Sequence, residues 1–255
     1  MRHLSSHALL RLSLAGTVAC IASVAHAAAP IEACDAASFQ SIVHASPAQY
    51  DARAVWLNAG LIKWPGADAA GTFKLYHSPT AAINAAQRAK VSGAEGALAL
   101  TVFKGSVPAA AGKRFKYVAQ GPVLSVAKKD MAELHRQQLV LVQESADGTV
   151  IAATRIQSAG ALDELYASAA KVGDLGATVV KGRTSFKLWA PTARDVLLCT
   201  FDSGNARASG IEQMKRDAKT GVWTASKPSD LSGKYYKYAV DVVVDDMGVV
   251  RNLVT

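Results

Sequence analysis

Aromatic residues are scarce, at 7% of 255, and there are only three cysteines, eight prolines and nineteen glycines. So little Gly and Pro excludes a collagen-like chain, and so little Cys excludes a disulfide scaffold. Half the residues are hydrophobic and 19% are charged, which excludes a wholly disordered polypeptide. No Gly-x-Ser-x-Gly elbow, His-Glu-x-x-His pair or phosphate-binding loop is present. Beyond the first thirty residues the histidines are His44, His77 and His135, isolated and without metal-ligand spacing, so neither a metal nor a cofactor is expected. The chain is also too short to hold a (β/α)₈ barrel of about 250 residues together with further domains.

What is present begins with a processing signal. Residues 1–27 carry Arg2 and Arg11, no acid, and an apolar run from Leu12 to Ala25. That run is too short and Ala-rich for a spanning helix of about 20 residues. It ends in Ala25-His26-Ala27, a small-x-small cleavage pattern, so cutting is expected between Ala27 and Ala28. A lipid-modified start at Cys20 is the competing reading, weakened by Thr17 where a lipobox favours Leu. The expected location is therefore secreted or periplasmic in a bacterium, off the membrane unless Cys20 is lipidated.

Loss of Arg2 and Arg11 lowers the formal charge from +8 to +6. The basic residues are scattered, with the tightest cluster at Lys113-Arg114-Phe115-Lys116, whereas a nucleic-acid binder concentrates them in a stripe with aromatics between. A solvated face is the expectation, with an anionic surface as a minor alternative partner. Export permits a disulfide between Cys34 and Cys199. The alternative is a buried free thiol, since Cys199 ends the apolar run Val196-Leu197-Leu198-Cys199.

Asp35–Ala45 has helical spacing at Phe39, Ile42 and Val43. From Asp51 short strands are expected at 53–58, 72–77, 97–103, 113–119 and 123–127, then a helix at 128–137. A hairpin at 138–143 and 149–156 turns on Ala146-Asp147-Gly148. Residues 160–172 place Leu162, Leu165, Tyr166 and Ala169 on one helical face, with Gly173 as the cap. A loose stretch, 174–183, reads as a linker. Six strands follow at 186–190, 195–201, 211–215, 222–225, 235–244 and 249–253, the spacing of an immunoglobulin-like β-sandwich. TFKLYHSPT at 72–80 echoes SFKLWAPTA at 185–193, pairing Phe73 with Phe186.

The landmarks Phe186-Lys187-Leu188-Trp189-Ala190-Pro191, Met214, Gly221-Val222-Trp223, Leu231-x-Gly233 and Tyr235-Tyr236-x-Tyr238 resemble a family 48 carbohydrate-binding module. This is the N-terminal sandwich of debranching enzymes in glycoside hydrolase family 13. Upstream, LIKWPGADAAGTFKLYHS and QLVLVQESADG…IQSAGALDELYASAAKVGDLGAT are similar to the N2 domain of bacterial pullulanases. The resemblance implies a mainly β chain of two immunoglobulin-like (early-set) sandwiches with a few short helices. Its expected divisions are a signal peptide at 1–27, an N2-like domain at 28–173, a linker at 174–183 and the module at 184–255. Two departures stand out. No family 41 starch-binding module precedes the N2-like part, and the chain stops at VVRNLVT where the family continues into its catalytic barrel.

Glycoside hydrolysis needs two carboxylates at a defined separation. Asp163-Glu164 and Asp245-Asp246 are sequence neighbours that do not face one another, so no catalytic residue is expected. Glucan contact falls to exposed aromatic rings: Trp64, before the turn Pro65-Gly66, with Trp189 and Trp223, each weighed against a packing role. The resemblance implies an α-glucan (starch, pullulan or glycogen-like) and the absent barrel as partners. The first reading is the accessory region of a secreted pullulanase-type enzyme; the alternative is a free-standing glucan-binding module. On the 235–244 strand, the even residues are expected to face the core and the odd ones solvent or a neighbouring domain.

Overall fold

The computed structural model of the chain describes residues 30–35, 50–127, 130–245 and 247–254. The expected signal segment with Cys20, Ala27 and Ala28 lies outside them, as does the helix expected to run on from Asp35 to Ala45.

The first unit contains seven strands: β1 (Ala54–Asn58), β2 (Leu61–Lys63), β3 (Thr72–Ser78), β4 (Gly96–Val102), β5 (Val123–Ser125), β6 (Gln138–Glu144) and β7 (Val150–Gln157). Their order is β1-β2-β5-β4-β3-β6-β7. Strand β4 turns the corner between two sheets, pairing through Gly96–Leu100 with β3 and through Thr101 and Val102 with β5. At the opposite seam Ala54 and Val55 of β1 pair in parallel with Ile156 and Gln157 of β7. The sandwich is thus joined along both sides into a flattened closed barrel, which leaves no free sheet edge at the seam.

Alternation explains its core. Phe73 and Leu75 on β3 point inward with Leu141 on β6, meeting Trp56, Ile62, Trp64 and Leu124. The middle of β6, residues 139–142, is apolar without interruption because its other face is covered too: Val140 and Val142 pack against Tyr50, Ile83 and Ala85. Burial on both faces removes the polar alternation of a half-exposed strand.

Three short helices complete this unit: α1 (Ala109–Arg114), α2 (Met131–Leu134) and α3 (Ala159–Leu165). Helix α1 overturns the strand expected at 113–119. Pro108 precedes Ala109-Ala110-Ala111, a proline followed by the best helix formers. The helix expected at 160–172 is divided, because α3 ends at Tyr166 and a 3-10 turn, Ala167–Lys171, follows. Helix α3 lies close on β1. A Cβ on Gly160 would stand 2.1 Å from the Trp56 carbonyl oxygen, so only glycine fits there.

The second unit is a sandwich of two four-stranded sheets. Its strands are β8 (Gly176–Val180), β9 (Arg183–Trp189), β10 (Asp195–Phe201), β11 (Ala208–Gln213), β12 (Lys215–Arg216), β13 (Val222–Lys227), β14 (Tyr235–Val244) and β15 (Gly248–Val254). One sheet runs β11-β10-β14-β15 and the other β12-β13-β9-β8. The proposed linker at 174–183 is corrected: it holds β8, paired antiparallel with β9 from Gly176↔Lys187 to Val180↔Arg183. Phe186 is as buried on β9 as Phe73 is on β3, so the sequence echo marks equivalent inward positions. Phe186 meets Tyr236 edge-on at 5.2 Å between ring centroids, and Tyr236 meets Tyr238 at 5.4 Å.

Of the even residues of β14, Tyr238 and Val240 are buried in the core, with Tyr236 and Val242 packed against it. The odd face departs from the expectation. Tyr235 and Lys237 are exposed, but Ala239 is buried beside Leu197, Cys199 and Phe201 on the outside of the sheet. A 3-10 turn, Ile31–Cys34, covers this spot, and Cys34 is bonded to Cys199 with the Cα atoms 5.7 Å apart. The bond replaces the alternative of a free buried thiol at Cys199.

Candidate functional site

The two units meet through a polar junction. Arg136, just past α2, donates from Nε to the Ala193 carbonyl at 2.9 Å and from Nη2 to the Arg194 carbonyl at 2.7 Å. Arg194 in turn donates to the Pro79 carbonyl. Arg216 on β12 binds Glu133 Oε1 at 3.0 Å and the Tyr166 hydroxyl at 2.7 Å. Two flanking arginines hold the Glu133 carboxyl below the usual carboxylate range, against the effect of its partial burial. Beside them Ser168 donates to the Lys219 carbonyl at 3.0 Å. Gly221 permits the close approach: its φ is +68°, and a Cβ there would stand 2.7 Å from Pro191 and 3.1 Å from the Tyr166 ring.

This junction frames a groove of about 580 Å³ lined by Asp163, Tyr166, Ala167, Ala169, Ala170, Val172, Leu175 and Trp189. The first unit supplies the wall from α3 and the turn after it; the second supplies Leu175 and Trp189 at the ends of β8 and β9. Trp189 is 39% exposed, and its indole N–H is tied to the Thr220 carbonyl at 3.0 Å. The ring is thus fixed while part of its surface faces the groove. An apolar wall with one oriented aromatic ring and a carboxylate at the rim suits a ligand with apolar faces and hydroxyl edges.

The other two tryptophans are elsewhere. Trp64 is 1% exposed and packs edge-on against Phe73 at 6.0 Å in the first core, so the turn at Pro65-Gly66 does not bring it to the surface. Trp223 is 4% exposed in the second core, donating to the Ala190 carbonyl at 2.9 Å. Neither ring can stack on a sugar without unfolding, and both are withdrawn as glucan contacts. Leu175, 52% exposed, joins Trp189 instead, while Tyr166 lines the groove as part of its buried base. Helical spacing puts Tyr166 on an inward face, where it is found, and the loose composition of 174–183 gives Leu175 no expected role. The available signal is Val172 and Leu175 standing on either side of Gly173-Asp174.

The neighbouring acids diverge. Asp163 pairs with Arg114 at 2.5 Å, whereas Glu164 Oε2 accepts the Ala59 backbone N–H at 2.9 Å. Asp245 meets Arg155 at 3.5 Å, and Asp246 lies outside the described residues. His77 pairs with Gln137 at 2.9 Å, and His135 is buried against Trp56 and the Met131 carbonyl; His44 lies outside the described residues. Among the described residues no three His, Cys, Asp or Glu side chains converge on one point.

Residues 51–164 match the pullulanase N2 domain family, and residues 174–252 match carbohydrate-binding module 48, the isoamylase N-terminal domain. The chain is 30% identical over 192 residues to a pullulanase of Klebsiella pneumoniae, covering 75% of this chain and 17% of that enzyme. It is 30% identical over 191 residues to the chloroplastic pullulanase 1 of Arabidopsis thaliana, covering 74% and 19%. The crystal structure of apo pullulanase from Klebsiella pneumoniae superposes with a TM-score of 0.69 at 29% identity, over 80% of this chain and 22% of that one. The Klebsiella pneumoniae pullulanase complexed with maltotriose gives 0.70 at 28%, over 80% and 19%. The chain therefore spans about a fifth of the relatives it matches, and their catalytic region has no counterpart in these 255 residues. The chain is thus a pullulanase N2 domain followed by a family 48 carbohydrate-binding module, homologous to the N-terminal region of pullulanases.

Proposed function

We propose that this chain is the N-terminal accessory part of an exported pullulanase-type enzyme, whose complete form hydrolyses α-1,6-glucosidic bonds in starch-like glucans. Within that enzyme the junction groove receives an α-glucan. One glucose ring lays its C–H face on Trp189, and Asp163 accepts from hydroxyls at the edge. The observation that carries this reading is the half-exposed, hydrogen-bonded Trp189 in a groove built jointly by the two domains. Support from the relatives is that three of the similar Klebsiella pneumoniae pullulanase structures are maltotriose complexes. The Cys34–Cys199 bond supports export, because such bonds persist in oxidising compartments. The proposed start of the exported chain is the Ala27–Ala28 cut, and the proposed intramolecular partner is the enzyme's catalytic barrel.

The second reading, a free-standing glucan-binding module, is favoured by the groove itself, since every lining residue belongs to these two domains. Two measurements test the proposal. The purified chain should release no reducing ends from pullulan yet be retarded in gels containing pullulan or glycogen. Turnover surviving repurification would overturn the assignment of catalysis to another region, and unretarded migration would remove the glucan role. Sequencing the gene beyond Thr255 separates the two readings: a reading frame continuing into a barrel supports the first, and a stop codon the second. Intact mass of secreted protein tests the leader, where a lipid-modified species starting at Cys20 would place the protein on a membrane instead.

A further inference from the structure

Strand β10 is apolar on both faces. Val196 and Leu198 point into the sandwich, while Leu197, Cys199 and Phe201 point out and join Ala239 of β14. An outward strip of this kind is ordinarily a docking face, but the segment Pro30–Asp35 lies across it. The hold of that segment is slight. Cys34 alone is fully buried, Ile31 and Ala33 are half-buried, and Pro30, Glu32 and Asp35 are exposed. Its polar anchor is Asp35 Oδ1, which accepts the Ala208 backbone N–H at 3.0 Å on edge strand β11. A single helical turn is not stable by itself. The covalent bond to Cys199 therefore supplies what the contacts lack, holding the turn at high effective concentration over the strip.

We propose that Pro30–Asp35 is a thiol-controlled cover for the outer face of the second domain. With the disulfide formed, the cover stays on the sheet; with it reduced, the cover leaves and Leu197, Phe201 and Ala239 form an exposed apolar strip. The reductant is a dithiol. Its thiolate attacks one of the two sulfurs, the Cys34–Cys199 bond breaks, and a mixed disulfide forms. The reductant's second thiol then closes on that intermediate and leaves as a cyclic disulfide. Two electrons and two protons remain on the protein as the thiols of Cys34 and Cys199. Both cysteines are buried, so exchange waits for a transient lifting of the turn, and its rate reports local opening. The bond spans 165 residues of sequence and encloses the whole first unit, so release also frees the N-terminal side of that unit from the second.

The test uses the full chain, oxidised or held in excess dithiothreitol, followed by amide hydrogen exchange. Reduction should speed exchange at Ala208 by roughly tenfold or more, the signature of lost local protection. Cleavage after Glu32 by a glutamate-specific protease and binding of a hydrophobic dye should rise with it, while amides in β13 and β15 stay protected. Cys34→Ala should reproduce this state without reductant. If that variant does not fold, the reduced wild type carries the test alone. Unchanged exchange at Ala208 on reduction would overturn the proposal, as would two free thiols in the unreduced protein. Collapse of protection throughout β13 and β15 would overturn it too, since the bond would then be a requirement of the fold.

Discussion

Arg216 donates to the hydroxyl of Tyr166 at 2.7 Å, and with that one bond the second domain holds the residue at which the first domain's last helix ends. The same guanidinium binds Glu133, and its side chain is only 12% exposed, so water replaces little of what it contacts.

Arg216→Ala should therefore destabilise the pair of domains by about 1–3 kcal/mol, the range for losing partly buried, charge-assisted hydrogen bonds. Urea denaturation measures it. A cycle with Tyr166→Phe should give a coupling of at least about 0.5 kcal/mol, as for residues in direct contact. Additive single effects would mean that the domains are held by other contacts.

The tryptophans should separate binding from stability. Trp189→Ala should weaken retardation by glycogen or pullulan roughly tenfold, equivalent to about 1.4 kcal/mol, with a small change in Tm. Trp223→Ala should cost about 3–5 kcal/mol, as for a large aromatic side chain removed from a core. Thermal melts beside affinity electrophoresis decide the matter, and equal loss of stability in both variants would contradict this division.

Acid should act through His135. Burial holds its imidazole below the ordinary value of 6.5, opposed by the hydrogen bond to the Met131 carbonyl. A histidine depressed in the folded state is neutral there while the unfolded chain takes up a proton near 6.5. Its stabilising contribution is complete above that pH and is lost as pH falls toward the folded value. The slope should reach at most about 1.4 kcal/mol per pH unit, and should be absent in His135→Gln. Denaturation midpoints of the two proteins between pH 7 and 5 provide the comparison.

Gly160→Val should fail by collision, since a side chain there would meet the Trp56 carbonyl and lift α3 from β1. A loss of about 1–3 kcal/mol is expected, the usual cost of overpacking. Gly112→Ala, where a Cβ meets nothing within 4 Å, should by contrast be neutral or stabilising, because glycine is the poorer helix former.

Legibility followed the strength of the alternation. Strand β14 has the bounds its sequence implies, and the hairpin of β6 and β7 turns where Asp147 and Gly148 stand. Strand β8 was not legible: it is an edge strand between Gly176 and Gly182, with Val179 and Val180 exposed, and nothing packs on it strongly enough to impose a pattern. Phe115 and Tyr117 gave 113–119 an alternating look, yet Tyr117 is 89% exposed and the local preference of Ala109–Ala111 prevails. At the candidate site, Trp189 was legible as a residue but its setting was not. The groove forms where the turn after α3 meets the end of β9, a packing fixed by Arg216 on Tyr166 and without periodicity. Trp64 was misread for a related reason. Its neighbouring turn is at the surface, while the ring points back beneath it.

The pairing of β1 with β7 has a consequence for how the first domain is made. Its first and last strands lie about a hundred residues apart and close the seam side by side. Loop-closure entropy must be met before such a distant contact can form, and folds rich in them form slowly. On a ribosome the seam stays open until Ile156 and Gln157 have emerged, with the β7 side of β1 unpaired throughout that interval. Synthesis of this domain thus carries a vulnerable period set by its topology, during which a chaperone has the most to protect.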